Sequence, residues 1–142
     1  MKNLPAIFLL AIGSLSASHL AAAQDAAPIT PYEAVKQAAS KPVAGVNGVF
    51  EVHVLSSAEQ HGYVLLNSEP AMRDARNLTI SLSPDVAFQL EHQLGGNPRY
   101  ALKGKTLMVT GVARQVTTHR SHGERHQTVV AVTDPAQIRI TD

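Results

Sequence analysis

The alternation of apolar and polar positions changes period several times along the chain, and each change marks an element. Phe50, Val52 and Val54 are separated by Glu51 and His53, a period of two that predicts a half-buried strand beginning near Gly48. Residues 56–62 are polar and read as a turn, and residues 63–66 as the returning strand of a hairpin. Leu78, Ile80 and Leu82 alternate with Thr79 and Ser81 and give a third strand. At Ser83 the period becomes helical. Ser83 caps, Pro84 suits the first position, and Asp85 sits near the positive end of the dipole. Val86, Leu90 and Leu94 then recur every four residues until Gly95-Gly96 stops the helix. A long strand over residues 106–118, a turn at 121–123 and a return over 128–133 follow. Asp134-Pro135 breaks the pattern, and residues 138–140 form a short last strand. Upstream, Thr30-Pro31-Tyr32-Glu33 carries a capping box, and the helix it opens ends near Ser40 because Pro42 disfavours helical geometry at Lys41.

Three strands, a helix and two more strands is the chain order of the OB-fold, a five-stranded barrel with a helix at one end. The expected fold is therefore mainly β: a five-stranded OB-fold-like antiparallel barrel with a helix between strands 3 and 4 and an extra N-terminal helix. The alternative is an open antiparallel α+β sandwich. The helix stripe is expected to bury itself against Phe50, Val52 and Val54 or their neighbours across the barrel, and Phe50 and Phe88 are both assigned to the core.

The first residues belong to a different class. Lys2 precedes an apolar run over residues 4–12, and small residues follow, ending Ala21-Ala22-Ala23. That order is a secretory signal peptide, cleaved after Ala23, in preference to an uncleaved anchor. The expected organisation is a signal peptide over 1–23, a flexible tail over 24–29, an N-terminal helix and linker over 30–47, and an OB-fold-like domain over 48–142. The expected location is the periplasm or the medium. No later stretch is long and apolar enough to span a bilayer as a helix. Removing the leader from 142 residues leaves 119, one domain's worth. It also removes Lys2, leaving 11 basic against 11 acidic residues. A neutral chain with 4% aromatic residues is a poor match to single-strand binders, which stack bases on several rings in a positive groove. With no cysteine, disulfides, thiolate metal sites and cysteine nucleophiles are excluded.

Residues 64–69 with 76–80, and residues 102–105 with 132–138, resemble bacterial OB-fold-like domains. Among these are small exported proteins of unassigned activity, and a related pattern accompanies some nucleic-acid-binding OB domains. The resemblance covers roughly residues 49–140 and implies the fold far more than a ligand.

Three constellations bear on chemistry. Glu69, Arg73, Asp74 and Arg76, with Asn77, cluster between strands two and three, and the paired acids and arginines are the residue types of a metal-assisted phosphodiesterase or nuclease. The plainer reading is a loop whose charges pair with one another, Glu69 with Arg73 across a helical turn. His119, His122 and His126 are candidate zinc or copper ligands. A two-residue loop at His122-Gly123 would set His119 opposite His126 but also Arg120 opposite Arg125. A three-residue loop pairs Arg120 with Glu124, sets the histidines on opposite faces, and is favoured on charge. Finally, the face around strands two and three, with His53, Tyr63, Arg73 and Arg76, is a candidate ligand surface.

No Gly-x-Ser-x-Gly elbow, Walker A sequence, dinucleotide fingerprint or His-Glu-x-x-His helix occurs. The sequence thus describes an exported, non-enzymatic OB-fold-like binding module without a required cofactor. Its ligand-binding set is His53, Tyr63, Glu69, Arg73, Asp74 and Arg76. An envelope protein or small polar ligand is the expected partner, with oligosaccharide or single-stranded nucleic acid as further options. Transition-metal binding through the hairpin histidines and metal-dependent phosphodiester cleavage are the alternatives.

Overall fold

The structure, a computed structural model, describes residues 26–142. The expected leader and the start of the tail lie outside the described residues. The chain is mainly β, with seven strands and few helices. Its order is α1 (Pro31–Ser40), β1 (Val46–His53), β2 (Ser56–Gln60), β3 (Tyr63–Asn67), β4 (Leu78–Leu82), α2 (Pro84–Leu94), α3 (Pro98–Ala101), β5 (Thr106–Arg120), β6 (Gly123–Val132), a 3-10 turn (Pro135–Gln137) and β7 (Ile138–Ile140).

The strands form one sheet in the order β1-β5-β6-β4-β3-β2, with β7 also on β5. The ladders are antiparallel except β4 with β6. That exception departs from the all-antiparallel expectation. α2 and α3 carry the chain away after β4, and the β5–β6 hairpin reverses it once more, so β6 runs alongside β4 in the same direction. The sheet is open, because no ladder among the described residues joins its end strands β1 and β2. Those two strands are nevertheless consecutive in the chain. Between them Val54 donates its amide to the Lys105 carbonyl at 2.9 Å and Leu55 donates to Asn67 at 2.9 Å.

One residue set fills the concave side. Phe50, Val52 and Val54 meet Leu66, Leu78, Ile80, Leu82, Leu107, Val109, Val130 and Val132, all fully buried. Helices α1 and α2 add to it. Ala34 and Ala38 of α1 are fully buried, and their small side chains let the helix lie close against β1 and β5 and reach β4 and β6. Val86 and Leu90 of α2 are buried, with Leu94 half-buried at the edge of the same cluster. α2 lies against β3, α3 and the 3-10 turn. Phe88 departs from expectation: it is 64% exposed, because two residues from Val86 is 200° around a helix at about 100° per residue.

The caps form as the sequence predicts. Thr30 and Glu33 make the reciprocal box at the start of α1, and the Ser83 hydroxyl accepts from the Val86 amide at 3.3 Å. Two stretches behave differently. Residues 56–60, expected within a turn, are strand β2, and the turn shrinks to His61-Gly62. Both turn residues have positive φ, 51° and 82°, the backbone a two-residue hairpin demands. At the tail, Ile29 is paired in parallel with Phe50: its amide donates to Val49 at 2.8 Å and its carbonyl accepts from Glu51 at 3.1 Å. The last residue of the expected flexible tail is therefore held.

Strand β5 is the longest element among the described residues, with 15 residues. Its first half, up to Ala113, has β1 along one edge, while β7 and then β6 occupy the other. At the change from β7 to β6, the Gln137 amide group donates to the carbonyls of Thr110 at 2.8 Å and Ala131 at 3.3 Å. Gly111 lies beneath that bridge, where an added Cβ would come within 2.9 Å of Val130 Cγ1. Beyond Ala113, β5 keeps only β6. Residues 116–127 thus project as a two-stranded arm, whose base is the Arg114–Val129 pair, where β4 still flanks β6.

Candidate functional site

The loop between β3 and β4 is built on buried amides and hydroxyls. Asn77, at its end, donates from Nδ2 to Asn67 Oδ1 at 3.2 Å, Thr79 Oγ1 at 3.0 Å and the Met72 carbonyl at 3.3 Å. Its Oδ1 accepts from the Glu69 amide at 3.1 Å and the Ser68 hydroxyl at 3.4 Å. Thr79 Oγ1 donates to Asn67 Oδ1 at 2.9 Å, and Gln127 Nε2 on β6 donates to Thr79 Oγ1 at 3.0 Å. Asn67, Ser68, Asn77 and Thr79 are all buried, and no buried side-chain nitrogen or oxygen among the described residues lacks a partner. A satisfied network of this kind fixes a loop, since displacing any member strands the others away from water. From the sequence only Asn77 joins the candidate cluster; Asn67, Ser68 and Thr79 do not. Their signal is Asn67-Ser68 and Asn77 standing where two apolar strands end.

Onto that base the loop mounts its charges. Asp74 accepts from Arg76 Nε at 3.1 Å and from a terminal guanidinium nitrogen at 2.9 Å, and its Oδ1 also takes the Arg76 backbone amide at 2.9 Å. The Arg76 side chain, followed by its amide, holds the Asp74 carboxyl down at about 2, against its usual 3.8. Asp74 pushes the Arg76 guanidinium up in return. The expected Glu69–Arg73 pair does not form, and Asp74–Arg76 is the loop's ion pair. The reason is local: two successive tight turns, closed by Asp74 onto Ala71 and Asn77 onto Asp74, replace the helical turn that a four-residue spacing needs. Arg73 stays exposed and makes no ion pair among the described residues. Asp74, ionised and bound in this way, is no general acid near neutrality.

The remaining predicted residues are scattered around this loop. His53 ends β1, with Nδ1 hydrogen-bonded to the Thr106 hydroxyl at 3.1 Å. It shares a shallow hollow of about 340 Å³ with Ser68, Thr30, Pro31, Glu51 and Thr106, which brings it beside the base of the loop. Tyr63 is 45% exposed but begins β3, while the loop leaves from the Asn67 end, about 13 Å away at 3.3 Å per residue. It belongs to a different part of the surface.

The histidine hairpin turns at Ser121-His122, with Arg120 opposite Gly123, His119 opposite Glu124, Thr118 opposite Arg125 and Thr117 opposite His126. Neither anticipated register is the one found. This one separates Arg120 from Arg125 and also sets His119 Nδ1 at 3.5 Å from the Glu124 carboxylate. His119, Glu124 and His126 therefore share one face, where opposite faces were expected for the two histidines. His126 Nδ1 is hydrogen-bonded to the Thr117 hydroxyl at 2.9 Å, and His122 stands in the turn. Among the described residues no group of three or more His, Cys, Asp or Glu side chains is arranged to hold a metal ion.

The other face of the arm and its base carries Arg114, Val116, Thr118 and Arg120 from β5 and Arg125 and Gln127 from β6, by alternation and register. Arg125 is half-buried and donates to the Met72 carbonyl at 3.3 Å, tying the arm to the 68–77 loop. No helix among the described residues is long and apolar enough to cross a membrane.

No family model and no curated protein matches the chain. Among solved structures it is similar to the mitochondrial single-stranded DNA binding protein Rim1 of S. cerevisiae, at 15% identity and a TM-score of 0.43, over 69% of this chain and 95% of that one. It is also similar to a putative aspartyl-tRNA synthetase from Leishmania major Friedlin, at 8% identity and a TM-score of 0.48. That match covers 82% of this chain but only 21% of the synthetase.

Proposed function

We propose that the chain is an exported, non-enzymatic binding module on an OB-fold-like barrel, and that it engages its ligand through the β3–β4 loop and the adjoining outer face. Support for the barrel comes from the strand path, whose two end strands are consecutive in the chain and joined by Val54-Leu55 alone. A helix between the third and fourth long strand directions and the signal-peptide pattern of residues 1–23 fit the same reading.

The observation that carries the function is the loop itself. Buried amides hold residues 67–79 rigid while Arg73 is left exposed and without a carboxylate partner among the described residues. A fixed backbone bearing a free, planar five-donor group is pre-organised for recognition and loses little freedom on binding. Glu69 and Asp74 fit a two-carboxylate catalytic centre less well, because Arg76 already occupies Asp74.

Affinity capture from an envelope extract, comparing the protein with its Arg73→Glu variant, tests the reading. Loss of a specific captured species in the variant, with an unchanged unfolding midpoint, is the expected result. Identical capture by both proteins would overturn the assignment to this loop.

A further inference from the structure

The chain sums to a formal +1, yet its charge is unevenly placed. The arm with its base, residues 114–129, holds Arg114, Arg120 and Arg125 against the single acid Glu124, a formal +2, so the remainder of the chain sums to −1. Register separates these charges further. The three arginines share one face, whereas Glu124 stands on the other beside His119. The arginine face runs on into the 68–77 loop, through the bond from Arg125 to Met72 and on to exposed Arg73. Arg114 and Arg125 each give one hydrogen bond to a backbone carbonyl, of Val43 and Met72, which leaves most of each five-donor fork available. The Arg120 guanidinium bonds nothing among the described residues.

From these placements we infer that the β5–β6 arm is a phosphate-binding finger for duplex nucleic acid. The inference rests on the binding-module reading and names a ligand class for it. Shape supports the choice of partner. The arm is a two-stranded ribbon whose four steps from Val116 to Arg120 span about 13 Å at 3.3 Å each, and a groove about 12 Å wide admits such a ribbon. The arm has no Phe, Tyr or Trp, and its histidine rings lie off the arginine face, His119 and His126 on the opposite one and His122 in the turn, so that face lacks the row of rings on which single-strand binders stack successive bases. Its one exposed large apolar side chain is Val116, too little for insertion into a bilayer. Phosphates contacted by arginine forks, without base reading, give sequence-independent binding.

The test is fluorescence anisotropy of the purified protein with a labelled 20-base-pair duplex, the corresponding single strand, and phosphatidylglycerol vesicles, at several salt concentrations. Duplex binding should weaken about fortyfold between 50 and 200 mM salt if three arginines each displace about 0.9 counterion. The Arg120→Ala, Arg125→Ala double variant should lose about 1.8 from the slope of log affinity against log salt, while the double lysine variant keeps it. Arg120→Glu, which leaves the Arg125 tether intact, should abolish binding without moving the unfolding midpoint. No duplex binding at 50 mM salt, tighter binding of the single strand, preference for the vesicles, or a slope indifferent to both arginines would each overturn the inference. Should duplex binding fail while Arg73→Glu still abolishes envelope capture, the arm assignment falls and the loop reading stands.

Discussion

The two halves of β5 share Val and Thr but differ in the rest of their composition and in their surroundings. Leu107, Val109 and Ala113 lie under β1 on one edge and under β7 and β6 on the other, fully buried. Val116, Thr118 and Arg120 have β6 alone, and Val116 is 45% exposed. A strand with two neighbours and a filled face is stable through burial. A two-stranded ribbon in water is marginal and depends on its turn and cross-strand pairs. The difference teaches that β-propensity sets neither half's stability; the third strand and the core do.

The largest effect should come from emptying the supported half. Leu107→Ala removes a fully buried side chain and is expected to cost about 2–5 kcal/mol in urea denaturation; a loss below about 1 kcal/mol would mean that the core under β5 readjusts freely. Next comes the polar anchor of the arm's neighbour. Asn77→Ala strips partners from Asn67, Thr79 and the Glu69 amide and should cost about 1–3 kcal/mol, with amide exchange in residues 68–77 accelerating more than in β5. By contrast, Val116→Ala on the arm should stay within about 0.5 kcal/mol. Equal costs for Leu107→Ala and Val116→Ala would erase the distinction between the halves.

The smallest effect is electrostatic and confined to acid. Asp74 is depressed to about 2 from 3.8 by the Arg76 hydrogen bonds. A carboxylate with a lowered folded-state value stabilises fully above its unfolded value and loses that contribution as pH falls through the folded one. Stability from this pair should therefore be constant from neutrality to about pH 4 and decline between about 4 and 2. Asp74→Asn should flatten that part of the urea-midpoint profile and leave the arm's exchange rates unchanged.

Much of the supported region was legible in the sequence. Phe50, Val52 and Val54 alternate because one face of β1 is covered, and Val86 with Leu90 repeats because one stripe of α2 is. Ser83 and Thr30 announce their helices by chemistry that needs no tertiary partner. β2 was illegible for the opposite reason. Ser56, Ser57 and Ala58 are half-buried and Glu59 and Gln60 exposed, so pairing with β3 makes the strand and no apolar alternation betrays it. Charge reasoning at the arm rightly kept Arg120 from facing Arg125, yet it missed the register, which a turn at Ser121-His122 decides. The candidate loop was located but its wiring was not. Asp74 meets Arg76 at a spacing of two because tight turns replace a helix there, and the Asn67–Asn77–Thr79 network exists only once β3 and β4 are side by side.

The pairing of Val46 with Ala113 bears on when this molecule can fold. A ribosome will have made β1 long before it makes the strand that β1 must recognise, and β4 waits likewise for β6. Such distant partnerships delay collapse into the native form, so the order of synthesis leaves an edge of β1 and an edge of β4 waiting for the last third of the chain.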